Sequence, residues 1–189
     1  MADLVDSYSE TNQNTQYEVY TGNPDPCGQS FTAIAGNLSS CKFYLWKTGS
    51  PTGNATAKLY AHSGTYGTSS IPTGSVLATS DNFDVSTLTT SFALIEFTFT
   101  GAQQYALVNG TYYCILIEYG TISGESDGNN FLEIGVDGSS TSHSGNLFAY
   151  KTSWDPHSFR DMCFYVYIAL WEQILTETIT LTDSKTTLT

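Results

Sequence analysis

Basic residues are scarce in this chain: only 6 Lys and Arg stand against 18 Asp and Glu, and the formal net charge is -12. A surface of that sign repels phosphate backbones and anionic lipid, so neither nucleic-acid binding nor membrane insertion is expected. No apolar run reaches the roughly 18 residues of a membrane span; the nearest, Cys163 to Trp171, is strand-length. No basic segment followed by an apolar stretch opens the chain, which starts MADLVDSYSE, so the expectation is a protein made in a cytoplasm without a recognisable signal peptide.

Sequence signatures of catalysis are equally thin. A nucleophilic hydrolase needs a base beside its Ser or Cys and a third group to orient that base. The three histidines, His62, His143 and His157, lie in Gly/Ser/Pro-rich stretches with no GxSxG elbow nearby, and read as solvated loop residues. Glu96, Glu118, Glu125, Asp127, Glu133 and Asp137 offer carboxylates, but nothing in their spacing pairs two of them across a cleft as a glycosidase requires. The alternation turns Glu96 and Glu118 outward. No enzyme is expected, and no cofactor is required.

Four cysteines permit three pairings. Cys27 and Cys41 flank the Ala33–Asn37 turn at similar distances, and Cys114 and Cys163 sit in two strongly apolar segments. Disulfides Cys27–Cys41 and Cys114–Cys163 are expected about as strongly as four free buried thiols. Without a CxxC spacing or a histidine cluster, zinc is not expected.

What the sequence does contain is strand grammar. Aromatics make up 14% of residues and charged residues 13%, with abundant Thr, Val and Ile and no helical Ala-Leu-Glu-Lys runs. At 189 residues one domain can bury roughly 70% of its unfolded surface. From Cys27 onward, short alternating segments are separated by Gly, Pro, Asn, Asp or Ser: CGQSFTAIA, LSSCKFYLWK, ATAKLYAH, SVLATSDNF, FALIEFTF, TYYCILIEY, NFLEIGVD, GNLFAYK and MCFYVYIALW. Period-two segments such as Lys42–Lys47 and Phe92–Phe99 expose one face, whereas Cys114–Ile117 and Cys163–Trp171 read as covered on both. The expected fold is all-β: a two-sheet antiparallel, jelly-roll-like β-sandwich with extended N- and C-terminal arms. Residues 1–26 form the N-terminal arm with one short strand around Tyr17–Tyr20, residues 27–171 the sandwich, and residues 172–189 a Thr-rich strand or tail. In that tail Ile179 and Leu181 alternate with Thr178, Thr180 and Thr182, a pattern suited to pairing with its own sheet or with an edge on another subunit.

Several segments taken in order resemble the choice-of-anchor or phage-tail-associated jelly-roll family. They are Gly28-Gln29-Ser30-Phe31, Phe43-Tyr44-Leu45-Trp46-Lys47 leading into Gly49-Ser50-Pro51-Thr52-Gly53-Asn54, and Ala57-Lys58-Leu59-Tyr60-Ala61. Pro72-Thr73-Gly74-Ser75-Val76-Leu77-Ala78, Leu107-Val108-Asn109-Gly110-Thr111-Tyr112-Tyr113 and Asp161-Met162-Cys163-Phe164-Tyr165-Val166-Tyr167 complete the set. The resemblance implies an architecture like that of carbohydrate-binding modules, found in virions and on cell surfaces, and no catalytic residues. The resemblance shifts expectation towards display, adhesion or assembly, and with the signal-free start, the strand-prone tail and the lack of a catalytic constellation the expected role is a capsid-decoration, fibre or tail-associated subunit on a virion or extracellular surface. Its partners are then other copies of itself or other virion and surface proteins. A carbohydrate-binding module that recognises cell-surface glycans is the first alternative, and an extracellular filament subunit joined by strand donation is the second.

For a sugar site, the loop aromatics Trp154 and Tyr66 supply platforms and Asp155 a nearby carboxylate, with packing the favoured role for Trp154. For calcium, Glu125, Asp127, Asn129 and Asp137 supply oxygen ligands next to flexible glycines; an ordinary polar turn is the competing reading. The sequons at Asn37, Asn54 and Asn109 match chance in a chain this rich in Asn, Ser and Thr.

Overall fold

The computed structural model describes residues 2–20, 26–120, 124–139 and 142–169. Strands account for 59% of the described residues and helix for 6%, the latter as single 3-10 turns at Glu10–Asn12, Val85–Thr87 and Gly101–Gln103. In chain order the strands are β1 (Ala2–Tyr8), β2 (Thr15–Val19), β3 (Cys27–Thr32), β4 (Gly36–Thr48) and β5 (Asn54–Ser63). There follow β6 (Ile71–Thr79), β7 (Phe83–Asp84), β8 (Ala93–Thr98), β9 (Ala106–Leu107) and β10 (Tyr112–Glu118). The last are β11 (Phe131–Asp137), β12 (Leu147–Tyr150), β13 (Trp154–His157), β14 (Asp161–Met162) and β15 (Phe164–Ala169).

These strands build two antiparallel sheets that form a sandwich. The first runs β1-β15-β4-β11-β14, with β2 on β11 and both β8 and β9 on β4; the second runs β13-β12-β3-β10-β5-β6, with β7 on β5. The chain changes sheet from β2 to β3, β3 to β4, β4 to β5, β7 to β8, β9 to β10, β10 to β11, β11 to β12 and β13 to β14, so many sequence neighbours face each other across the core. Alternation decides which side chains meet there. Phe43, Leu45, Phe97, Ile134 and Phe164 from the first sheet pack against Phe31, Leu59, Ile115, Ile117 and Leu147 from the second.

A second apolar layer lies on the outer face of the seven-stranded sheet. Cys114, Leu116 and Phe148 are completely buried there under Tyr60, Ile71 and Trp154, which is why the Cys114–Ile117 run is apolar on both faces. Gly28 makes that layer fit: a Cβ at this position would lie 2.6 Å from Leu116 Cβ and 2.7 Å from the Phe148 ring. On β15 the double cover is partial, because Tyr165 and Tyr167 are only half-buried outside the core.

Two expectations are corrected. Residues 2–19 are integral to the sandwich, not an arm with one strand: β1 pairs with β15 and β2 with β11, with Tyr8 and Val19 buried in the core. The disulfides, expected at even odds with free buried thiols, are also absent, since all four cysteines are free and buried. Cys27 and Cys41 belong to opposite sheets and not to a hairpin. Stacked sheets lie about 10 Å apart, beyond the roughly 7 Å Cα separation a disulfide spans. Cys114 faces the outer layer, whereas Cys163 follows β14 in the other sheet. Burial pushes the Cys27 and Cys163 thiols up to about 12, so these groups stay protonated and inert.

Candidate functional site

A cleft of about 740 Å³ opens where β1, at the edge of one sheet, approaches the end of β3 in the other. Val5 and Ile34 give it apolar walls, and Asp6, Asn109, Tyr66 and His143 bring polar groups. The register between β1 and β15 shifts between Leu4 and Asp6, a bulge that re-aims the following side chain.

Asp6 then ties the two sheets together. One carboxylate oxygen accepts the Ser7 amide at 2.9 Å and faces His143 Nε2 at 3.3 Å; the other accepts the Thr32 amide at 3.0 Å. Behind it the network continues inward through Gln29 and Asp161, both completely buried. The Met162 amide donates to Gln29 Oε1 at 2.9 Å, which orients the Gln29 amide. Its Nε2 therefore donates to Asp161 Oδ1 at 2.8 Å and to His143 Nδ1 at 3.1 Å. Nδ1 also accepts the Gly145 amide at 3.0 Å, so the ring proton sits on Nε2 and is donated to Asp6. The loop presses closely on β3 at Gly145, where a Cβ would lie 2.0 Å from the Ser30 carbonyl oxygen.

With both ring nitrogens engaged, His143 presents no lone pair to a substrate. The arrangement suits clamping β1, β3, β14 and the His143 loop together better than proton transfer. Tyr8 extends the clamp by donating to Asp137 Oδ2 at 2.7 Å, and Asn14 Nδ2 donates to Asp137 Oδ1 at 2.7 Å. Burial works to raise the Asp6 carboxyl, but the His143 hydrogen bond and attraction, joined by the Thr32 and Ser7 amides, hold it below the ordinary aspartate value. Burial instead wins at Asp161, whose carboxyl is raised despite Gln29 and His143.

The two shifts have opposite signs in stability. Asp6 stabilises the fold above its unfolded value, and that contribution is lost as pH falls through its depressed folded value; Asp161 favours the fold at low pH and loses that contribution as pH rises through its raised value. Asp6→Asn is thus expected to flatten the acid limb of a stability-versus-pH curve below about pH 4. Urea midpoints across that range check it; an unchanged acid limb would exclude Asp6 as its source.

His62 and His157 are partnered as well, contrary to the solvated-loop expectation. His62 Nε2 lies 2.9 Å from Ser70 Oγ, and His157 Nε2 lies 2.8 Å from the Tyr17 hydroxyl. Desolvation lowers both imidazoles. Sequence reasoning did not single out Asp6, Gln29 or Asp161. One signal was available: Gln29 shares strand parity with core-facing Cys27 and Phe31, and a polar residue at such a position requires buried partners.

Among the sugar-site candidates, only Tyr66 lines the cleft. Its ring stacks on Tyr112 with centroids 4.0 Å apart and planes 5° apart, and His62 meets both edge-on. The Thr32 hydroxyl donates to the Tyr66 oxygen at 3.1 Å, and burial pushes that phenol up to about 12. Trp154 packs edge-on against Phe148 and Tyr150, and Asp155 is exposed beside His157 at 3.6 Å.

The calcium candidates do not converge. Asp127 Oδ1 accepts the Asn129 and Asn130 amides at 2.7 and 2.9 Å, capping its own turn, while Asn129 is exposed. Glu125 rests against the Gly53 turn. Asp137 ends β11 on the far side of seven residues, about 20 Å away at strand rise. Among the described residues, no three His, Cys, Asp or Glu side chains are placed to share a metal ion. Ile179 and Leu181 lie outside the described residues, and no described helix is long and apolar enough to cross a membrane.

No protein-family model matches the chain, and a search of curated proteins returns no match.

Proposed function

We propose that the protein is a non-enzymatic surface-assembly subunit of a virion or comparable surface structure, joined to copies of itself or to other surface proteins through its strand edges and terminal segments. The observation that carries this reading is β8, an edge strand whose outer side pairs with no described strand and on which Leu94 is exposed. The His143 cluster supports it too, because its ionisable groups are occupied in holding strands together. The net charge of -12 keeps assembled particles apart in solution. Native mass spectrometry of the full chain, together with imaging of the particles it forms, tests this. Large ordered assemblies are expected, and a monodisperse monomer at every concentration would remove the reading.

A second reading, a glycan-binding domain, is favoured by the stacked Tyr66–Tyr112 pair beside the polar cleft. On a glycan array it predicts specific binding that Tyr66→Ala weakens by about tenfold, the scale of one aromatic contact. Binding that survives this substitution would place any glycan elsewhere.

A further inference from the structure

An open sheet edge invites pairing with another chain, and proteins ordinarily blunt such edges with proline, bulges, inward charges or short strands. Most edges of this sandwich are blunted. On β13, Pro156 stands opposite Phe148; β6 carries Pro72 and Gly74, with a register shift against β5. The β1 edge has its bulge and the Asp6 carboxylate turned toward Thr32. On β2, a strand of five residues, Gln13 Nε2 donates to the Thr15 carbonyl at 3.0 Å.

β8 has no proline and no bulge, and Glu96 is its one charge. Its six residues, ALIEFT, pair with Ser40–Leu45 of β4 without a register shift. The neighbouring bonds show which backbone groups face outward. The Thr98 carbonyl accepts the Asp81 amide on the free side, at 2.8 Å, and the Phe99 amide donates inward to the Ser39 carbonyl at 2.8 Å. Residues alternate along an antiparallel ladder, so Leu94 and Glu96 turn their N–H and C=O groups to the open side. No described residue bonds those groups.

A second β8 is a poor occupant. Two-fold pairing centred on Glu96 sets that carboxylate against its own copy, and like charges directly opposite are destabilising; centring on Ile95 sets Glu96 against Leu94, an apolar side chain that offers the carboxylate no partner. The chain itself contains a better strand. Thr178-Ile179-Thr180-Leu181-Thr182 is uncharged, free of Gly and Pro, and alternates β-formers. Residues 170–177 separate it from the end of β15, a reach of up to about 28 Å when extended. Within one subunit, the 3-10 turn at Gly101–Gln103 and β9 continue from β8 along β4, ending beside Gly36 and Asn37.

Resting on the assembly reading, we propose that Thr178–Thr182 of one copy adds as a strand to the outer edge of β8 in a second copy. The two surfaces differ, so subunits join head to tail and the contact generates rings or filaments.

Two variants of the full-length protein test this: deletion of residues 172–189, which keeps the edge but loses the strand, and Leu94→Pro, which keeps the strand but loses an outward N–H. Leu94→Lys, with its backbone intact, guards against a folding defect in the proline variant, and circular dichroism confirms the fold of each. Mass by light scattering is read over a hundredfold range of concentration. The full chain is expected to grow in mass, each variant alone to stay monomeric, and an equimolar mixture of the two to stop at a heterodimer. Leu94→Lys is expected to weaken self-association at least about tenfold. If the deletion variant still assembles, this contact is wrong while the assembly reading stands. If the full chain is monomeric throughout, both fall. Two monomeric variants that do not combine on mixing also overturn the contact. So does a monomeric full chain in which deletion speeds amide exchange at Leu94 and Glu96, since the strand would then pair within its own subunit.

Discussion

Phe43→Ala is expected to lower the unfolding free energy by about 3–5 kcal/mol, the usual cost of emptying a buried aromatic site. Phe43 is completely buried on β4, flanked by Phe164 on one side and Ile95 on the other. Its ring centroid lies 5.6 Å from that of Phe97, which in turn lies 5.6 Å from Phe83. The resulting void faces strands paired on both sides, so the surroundings cannot collapse freely into it. Against a typical total stability of about 5–15 kcal/mol, the loss approaches what the fold can tolerate. Urea unfolding should show the midpoint falling while the m-value holds, and a change below about 1 kcal/mol would mean that the site repacks.

Gln29→Leu is expected to cost about 3 kcal/mol at neutral pH for a different reason. The substitution keeps an apolar side chain of similar size in the core, but it removes the donor to Asp161 and the acceptor for the Met162 amide. A buried carboxylate and a buried N–H are left short of partners, and stranded charge is what makes such deletions expensive. The cost should shrink as pH falls, because Asp161, already raised by burial, then takes up a proton and needs the Gln29 donor less. Adding Asp161→Asn to Gln29→Leu should recover part of the loss at neutral pH. Urea titrations of the single and double variants decide this, and a loss independent of pH would show that packing, not charge, sets the cost.

Strands whose alternating or continuous apolar pattern is unbroken were legible in the sequence. The segments FALIEFTF, TYYCILIEY and NFLEIGVD correspond to β8, β10 and β11. Strand β1 was not, because its bulge puts Leu4 and Val5 side by side and breaks the period. Pro156 disguised β13 as a turn. The cysteine pairing rested on a β3–β4 hairpin, and those strands instead cross between sheets. Of the site, Tyr66 was legible as a loop aromatic, although not its stacking on Tyr112. Asp6 and His143 stand 137 positions apart, and no local periodicity records a contact of that kind; it follows only once the sheet edges are set.

The pairing of Ala2 with Ala169 and Tyr8 with Phe164 bears on how the molecule is made. β1 leaves the ribosome about 160 residues ahead of the strand it pairs with. At about 5–20 residues per second, β1 waits roughly 8–32 seconds with Leu4, Val5 and Tyr8 uncovered. During that interval a nascent neighbour's β15 is as good a partner as its own, so crowded polysomes favour exchanged strands and dilute synthesis favours closed monomers.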